Sequence, residues 1–258
     1  MRELKRLDAW IDDASLRGVD DRINIVDIHE DAPETELTWG NIPGRHGQRL
    51  LSRVRKSLKV GIEFDIRELF DVARRAEIVG AVNAWAADGV LKVSHRPGQR
   101  LRVFRSSAAA INAARDVTGT YTVEFQATAS PFWEDETPTT LTMTGTGQTL
   151  PMLIPGNVTA VPEITVKPTG GALATLSLGF GGTSMSFTSL AVARNDLMKI
   201  THDENGWLVI AVGSTNKMSK RDAESADDFE AQPGKLAQLS FSSSVACEVT
   251  WSVRGRYL

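Results

Sequence analysis

Hydrophobic and polar positions alternate most strictly in "SLKVGIEFDI" (57–66). Leu58, Val60, Ile62, Phe64 and Ile66 fall on one side, and Lys59, Glu63 and Asp65 on the other. Period two over that length predicts a long half-buried strand whose edge needs a partner. "YTVEFQAT" (121–128) repeats the pattern, with Tyr121, Val123, Phe125 and Ala127 facing one way. It then runs into Ser130 and Pro131, and a proline with no N–H ends a ladder. Between these two runs the period changes. "ELFDVARRAEIVGAVNAWAADG" predicts a helix over about 68–87. Its expected core stripe is Val72, Ala76, Val79, Val82 and Ala86, flanked by Ile78 and Trp85, with Gly89 just past its end. Short strands follow around 90–93 and 101–104, joined by the turn "RPGQ".

The helical pattern disappears in the second half. "PEITVKP", "LATLSLGF", "SMSFTSL", "DLMKITH", "WLVIAV", "LAQLSFS" and "VACEVTWSV" read as short strands. Turn chemistry separates them at Gly181-Gly182, Asn205-Gly206 and Pro233-Gly234. Many short strands with no helix predict a β-sandwich. The threonine-rich 137–149 reads as a linker or an edge strand, and the polar, aperiodic 214–230 as a mobile loop between strands. The fold class is therefore mainly β (α+β). Residues 1–136 form a β-rich domain with one main helix, and 137–258 a sandwich.

Composition narrows the function classes. One cysteine, Cys247, excludes an internal disulfide and a thiolate cluster. No apolar run approaches the ~20 residues of a membrane span. The four histidines never stand at ligand spacing, so no metal site is expected. "GFGGT" (179–183) lies between strands and carries no lysine, which makes it a hairpin turn rather than a phosphate loop. Asp65, Glu68 and Asp71 suit the start of a helix better than an acid/base pair. "EDE" (134–136) reads as solvated acid. No serine stands in a GxSxG elbow, so catalytic residues, metal ligands and cofactors are all expected to be absent.

Charge is unevenly spread. Residues 1–40 hold eleven acids against five bases, whereas 45–59 hold six bases and no acid. Those six are Arg45, Arg49, Arg53, Arg55, Lys56 and Lys59. They are the candidate subunit interface, where copies of the chain would meet with opposite sign.

The helix ending in "NAWAADGVLKV", the turn "RPGQRLRVF" and the strand "GTYTVEFQATASPFWED" occur in an order that resembles the distal tail proteins of long-tailed bacteriophages and prophages. Trp85, Pro97, Gly98, Phe125, Pro131 and Phe132 stand where that pattern expects them. "VPEITV", "MKITHDENGWLVI", "QPGKLAQLSF" and "EVTWSVRGRYL" continue the resemblance through the second half.

The resemblance implies a non-enzymatic virion protein assembled in the host cytoplasm, with no membrane partner. Its first domain would close a ring, in that family a hexamer, and the second would be a galectin-like sandwich. The last strand of the chain could return to the first domain. Implied partners are the tail tube protein, a tail-tip or tail-associated protein of the baseplate, and a receptor-binding protein, with DNA passing through without specific binding. The clusters by which galectins hold sugar are not apparent. The competing reading is a carbohydrate-binding module or host-surface adhesin, supported by Trp207 and Trp251, although both lie in strand patterns where core packing is the expected use.

Overall fold

The computed structural model describes residues 6–41, 48–67, 71–110, 120–128, 130–203, 206–230 and 232–258. The chain divides into two compact units between Trp133 and Glu134.

In the first unit, β1 (Ala9–Ile11), β2 (Ala14–Ser15), β3 (Ile23–Asp31), β4 (Thr35–Asn41), β5 (Gln48–Arg55) and β6 (Lys59–Ile66) precede the helix α1 (Val72–Trp85). Then come β7 (Gly89–Val93), β8 (Gln99–Ser107) and β9 (Tyr121–Ala127), and β10 (Trp133–Asp135) straddles the boundary. The main sheet runs β2-β1-β7-β8-β9-β6-β3, while β4 and β5 form a two-stranded sheet of their own. The alternation of β6 buries Val60, Ile62 and Phe64 completely, and β9 buries Phe125. The expectation that 57–66 needs an edge partner is overturned. β6 is an inner strand, paired antiparallel to β3 on one side and β9 on the other.

The helix is also shorter than the 68–87 read from the pattern, and 68–70 lie outside the described residues. Asp71 is its N-cap and accepts from the amides of Ala73 at 2.9 Å and Arg74 at 3.3 Å, so the first turn begins at Val72. Ala86, at φ −74 and ψ 59, leaves helical geometry and ends it. The buried stripe is Arg75, Ile78, Val79, Val82 and Ala86. Val72, expected in the core, is exposed because it opens the first turn. Arg75 takes the inward place instead and donates to the Ile66 carbonyl at 3.4 Å.

The second unit is one sheet curled into a sandwich. Its strands are β11 (Thr139–Leu153), β12 (Pro162–Pro168), β13 (Leu176–Phe180), β14 (Thr183–Phe187), β15 (Met198–His202), β16 (Leu208–Val212), β17 (Thr215–Asn216) and β18 (Leu236–Val253). A short β19 (Arg256–Tyr257) pairs with β10. Two segments read as separate strands, "LAQLSFS" and "VACEVTWSV", are one strand, β18. Its first half pairs with β13 and its second half with β12, while β11 follows it on the other flank. The ladder is interrupted between Gly145 and Gly147, where Gly145 adopts φ +111. There the β11–β18 ribbon passes from one layer of the sandwich to the other. The threonine-rich stretch is thus no linker but most of β11, in keeping with the preference of threonine for a pleated surface. Phe180 and Trp251 stack at 5.7 Å between the layers. Gly181 and Gly182, at φ +60 and +99, make the two-residue β13–β14 turn that the sequence predicts.

Segment 214–230 departs from its reading as a mobile loop. It carries β17 and a short 3-10 turn, then runs beside β14. Asp222 donates its amide to the Ser186 carbonyl, Ala226 to that of Ser184, and Thr188 to that of Lys220. Phe229 is 2% exposed and packs on Phe180 and Trp251. One buried phenylalanine and these edge bonds fix a segment whose polar composition hid them.

Candidate assembly surface

The hairpin β4–β5 has an unusual surface. A core strand buries one face, yet here Leu37, Trp39, Leu50, Leu51 and Val54 are all at least 42% exposed. Register places Leu37, Trp39 and Leu50 on one face. Leu51 lies beside Gly40 on the other, where a Cβ at Gly40 would meet its side chain at 2.7 Å. Two strands without a third are marginally stable in water, and large apolar side chains in one cluster mark a surface meant to be covered.

The predicted interface bases divide. Arg45 lies outside the described residues. Arg49 is exposed on β5, opposite Gly40. The backbone of Arg53 pairs with Leu37, and its side chain lies outside what is described. Arg55 ends β5 with its guanidinium 5.6 Å above the Phe132 ring, a cation–π contact within the chain. Lys56 pairs with Glu34 at 3.0 Å across the base of the hairpin. The hydrogen bond and charge of Lys56 hold the Glu34 carboxyl below its ordinary range, and Glu34 raises the Lys56 ammonium in return. Lys59 begins β6 opposite Asp31. Part of the acid–base complementarity is therefore spent inside one copy.

The residues of the resemblance pattern are structural supports. Trp85 ends α1, donates its indole N–H to the Ala14 carbonyl at 2.7 Å and meets Phe125 edge-on at 6.1 Å. Pro97 and Gly98 form the β7–β8 turn, with Gly98 at φ +75. Phe132 lies under Arg55, and Pro131 precedes it, half-buried.

One cluster carried no local sequence signal. Glu30 accepts from Arg96 Nε at 2.8 Å and Nη2 at 2.8 Å, and from Trp133 Nε1 at 2.9 Å. His95 Nε2 lies 2.7 Å from the same carboxylate, and Arg96 stacks 5.2 Å from the Trp133 ring. The "EDE" acids are also engaged: Glu134 lies 3.5 Å from Arg256, and Asp135 accepts from the Gly255 amide at 3.1 Å. Trp251 is fully buried as expected, but Trp207 is 73% exposed at the β15–β16 turn, so its core reading is overturned. Its amide is held by the Asp203 carboxylate at 2.8 Å, which leaves the indole to solvent. Among the described residues no group of acids, histidines and cysteines could hold a metal ion, and no helix is long and apolar enough to cross a membrane.

The chain matches no protein-family model and no curated protein sequence. Among solved structures it is similar to the Dit protein (gp 19.1) of phage SPP1, described as a paradigm of the hub of the adsorption apparatus in phages that infect Gram-positive bacteria. The match has a TM-score of 0.68 at 13% identity and covers 98% of this chain and 100% of that one. A chain of the phage p2 baseplate in its activated conformation aligns with a TM-score of 0.48 at 8% identity, over 96% of this chain and 97% of that one. The resemblance read from the sequence is thus borne out at the level of fold: this chain shares, along nearly its whole length, the β-rich, one-helix fold of the SPP1 Dit protein.

Proposed function

We propose that the chain is a structural protein of a phage tail, a ring-forming adaptor joining the tail tube to the tail tip or baseplate. The full-length likeness to a hub protein supports a tail role, and the hairpin β4–β5 supports assembly through the first unit. A two-stranded sheet with five exposed large apolar residues gains its stability when a neighbouring copy covers it. Arg49, exposed on β5, would set register and partner choice rather than affinity. Tail tube and tail-tip proteins are the expected partners above and below the ring, with DNA passing through unbound.

Light scattering and electron microscopy of the purified chain, alone and mixed with its tail tube protein, test the reading. Closed rings, with six copies as the expected number, support it. A monomer in both samples across the micromolar range overturns it.

A further inference from the structure

The two layers of the sandwich carry different outer faces. On β12, β15 and the second half of β18 the outward positions include Glu163, Lys199 and Glu248, the charged residues usual on a solvated sheet. On β14, β13 and the first half of β18 they are mostly hydroxyls, with Gly179, Leu236 and Gln238 the exceptions and no charged residue among them. Ser186, Ser177 and Ser242 stand opposite one another across three strands. In the next row Thr175 accepts from the Ser244 amide at 3.1 Å. These side chains line an open groove of about 280 Å³, with Asp222 at its rim. That volume is near the lower end of small-ligand sites, which begin at about 300 Å³.

Asp222 is held in place. Its amide donates to the Ser186 carbonyl at 2.9 Å, and its Oδ1 accepts from the Thr188 hydroxyl at 2.8 Å. Oδ2 makes no hydrogen bond among the described residues and is left as an acceptor. Ser244 Oγ already accepts from the Ala174 and Thr175 amides at 3.1 and 3.2 Å, so its own proton is free to donate outward. Ser186 donates to Ser177 at 3.2 Å, which leaves the Ser177 proton available as well. The Ser242 and Thr175 hydroxyls have no side-chain partner among the described residues. Short hydroxyl side chains lose little rotamer entropy when a ligand orders them.

We propose that this groove binds a neutral saccharide, with Asp222 Oδ2 accepting from sugar hydroxyls and Ser177, Ser242 and Ser244 donating to them. Chemistry selects this class. An anionic ligand would meet a carboxylate and no cation, an apolar ligand would find the apolar floor of Leu176 and Phe187 buried beneath the hydroxyls, and a polyol matches both donors and acceptor. The inference does not depend on ring formation, although a ring would add avidity by presenting several grooves together.

The test is a microarray of neutral and acidic glycans probed with the full chain, followed by titration of the retained glycans. Ser242→Arg fills the groove from an exposed position, and its retention should fall to background. Asp222→Asn keeps the shape and should weaken binding about tenfold, as loss of a charge-assisted acceptor does. Hydrogen exchange with the retained glycan should protect 173–188 and 240–246. Retention of no neutral glycan, of acidic glycans alone, or equal retention by Ser242→Arg overturns the proposal. So does protection of 173–188 by self-assembly without glycan, which would make this face a protein contact.

Discussion

The indole Nε1 of Trp133 donates to Oε2 of Glu30 at 2.9 Å across 103 residues of chain. Trp133 is the last residue of the first unit and is fully buried, so this bond helps fix where that unit ends. Arg96 grips both carboxylate oxygens of Glu30 and lies over the indole. The carboxylate therefore holds β3, the β7–β8 turn and Trp133 together.

Burial alone would raise the Glu30 pKa, but the hydrogen bonds from Arg96, His95 and Trp133 and the Arg96 charge outweigh it and hold the group below its usual 4.5. A depressed carboxylate contributes stability above its unfolded pKa and loses it as pH falls through the folded value. The first unit should therefore lose stability in the acid window below about pH 4.5, and Glu30→Gln should flatten that part of the curve. At neutral pH the same variant should cost about 2–4 kcal/mol, because Arg96 keeps its charge without a counterion. Urea unfolding followed by tryptophan fluorescence measures both. An unchanged acid limb in Glu30→Gln would remove Glu30 from the account.

The exposed hairpin yields a prediction that separates assembly from folding. Trp39→Ser and Leu51→Ser remove apolar surface already exposed in one copy, so the melting temperature of the unassembled chain should change little. Ring formation should nevertheless weaken at least tenfold for either variant, since buried tryptophans and leucines dominate interfaces. Sedimentation velocity over a concentration series reads the difference. Wild-type assembly in both variants would move the interface elsewhere.

How much of this was legible in the sequence depends on the range of the interactions. The strands β6 and β9 and the Gly181-Gly182 turn follow from neighbours in sequence, whereas the inner place of β6 between β3 and β9 depends on residues far along the chain. Arg75 defeats periodicity because a buried guanidinium looks polar in any pattern, although its bond to Ile66 makes its burial possible. Phe229 is a lone aromatic in a polar stretch, and the core it enters comes from Phe180 and Trp251. The six bases stood out, but the apolar half of the candidate surface did not. Leu37, Trp39 and Leu50 make the same alternation as a core strand, and alternation does not say which face a second copy covers.

Among the six bases of the candidate interface, charge reversal tests some better than others. Arg55 stacks on Phe132, so Arg55→Glu would disturb the chain itself as well as any interface. Arg49 is exposed on β5 and is the cleaner probe. Arg49→Glu should slow assembly several-fold at low salt and approach wild-type behaviour at high salt, as screening of long-range attraction requires. Equal rates at low salt would make Arg49 ordinary solvated surface.

The segment along β14 gives the sharpest contrast between composition and structure. Its polar residues suggest early cleavage at Lys217, Lys220 and Arg221, but the structure ties each to its surroundings. Lys217 donates its amide to the Ile210 carbonyl at 2.8 Å, and the Lys220 carbonyl accepts from the Thr188 amide at 3.0 Å. Arg221 spans the carbonyls of Ala226 and Asp227 and the Asp227 carboxylate. A protease needs an extended, detached backbone, so these bonds should resist trypsin while the sandwich is folded. Phe229 is the anchor, its ring tilted against both Phe180 and Trp251. Phe229→Ala should cost about 3–5 kcal/mol by leaving a cavity that the rigid aromatic pair cannot fill. The same variant should release the segment, so cleavage after Arg221 becomes fast while the rest of the second unit stays intact. Limited trypsin digestion read by mass spectrometry compares the two proteins directly. Rapid cleavage at Lys217 or Arg221 in the wild type, at conditions where other exposed lysines survive, would show that the anchor does not hold.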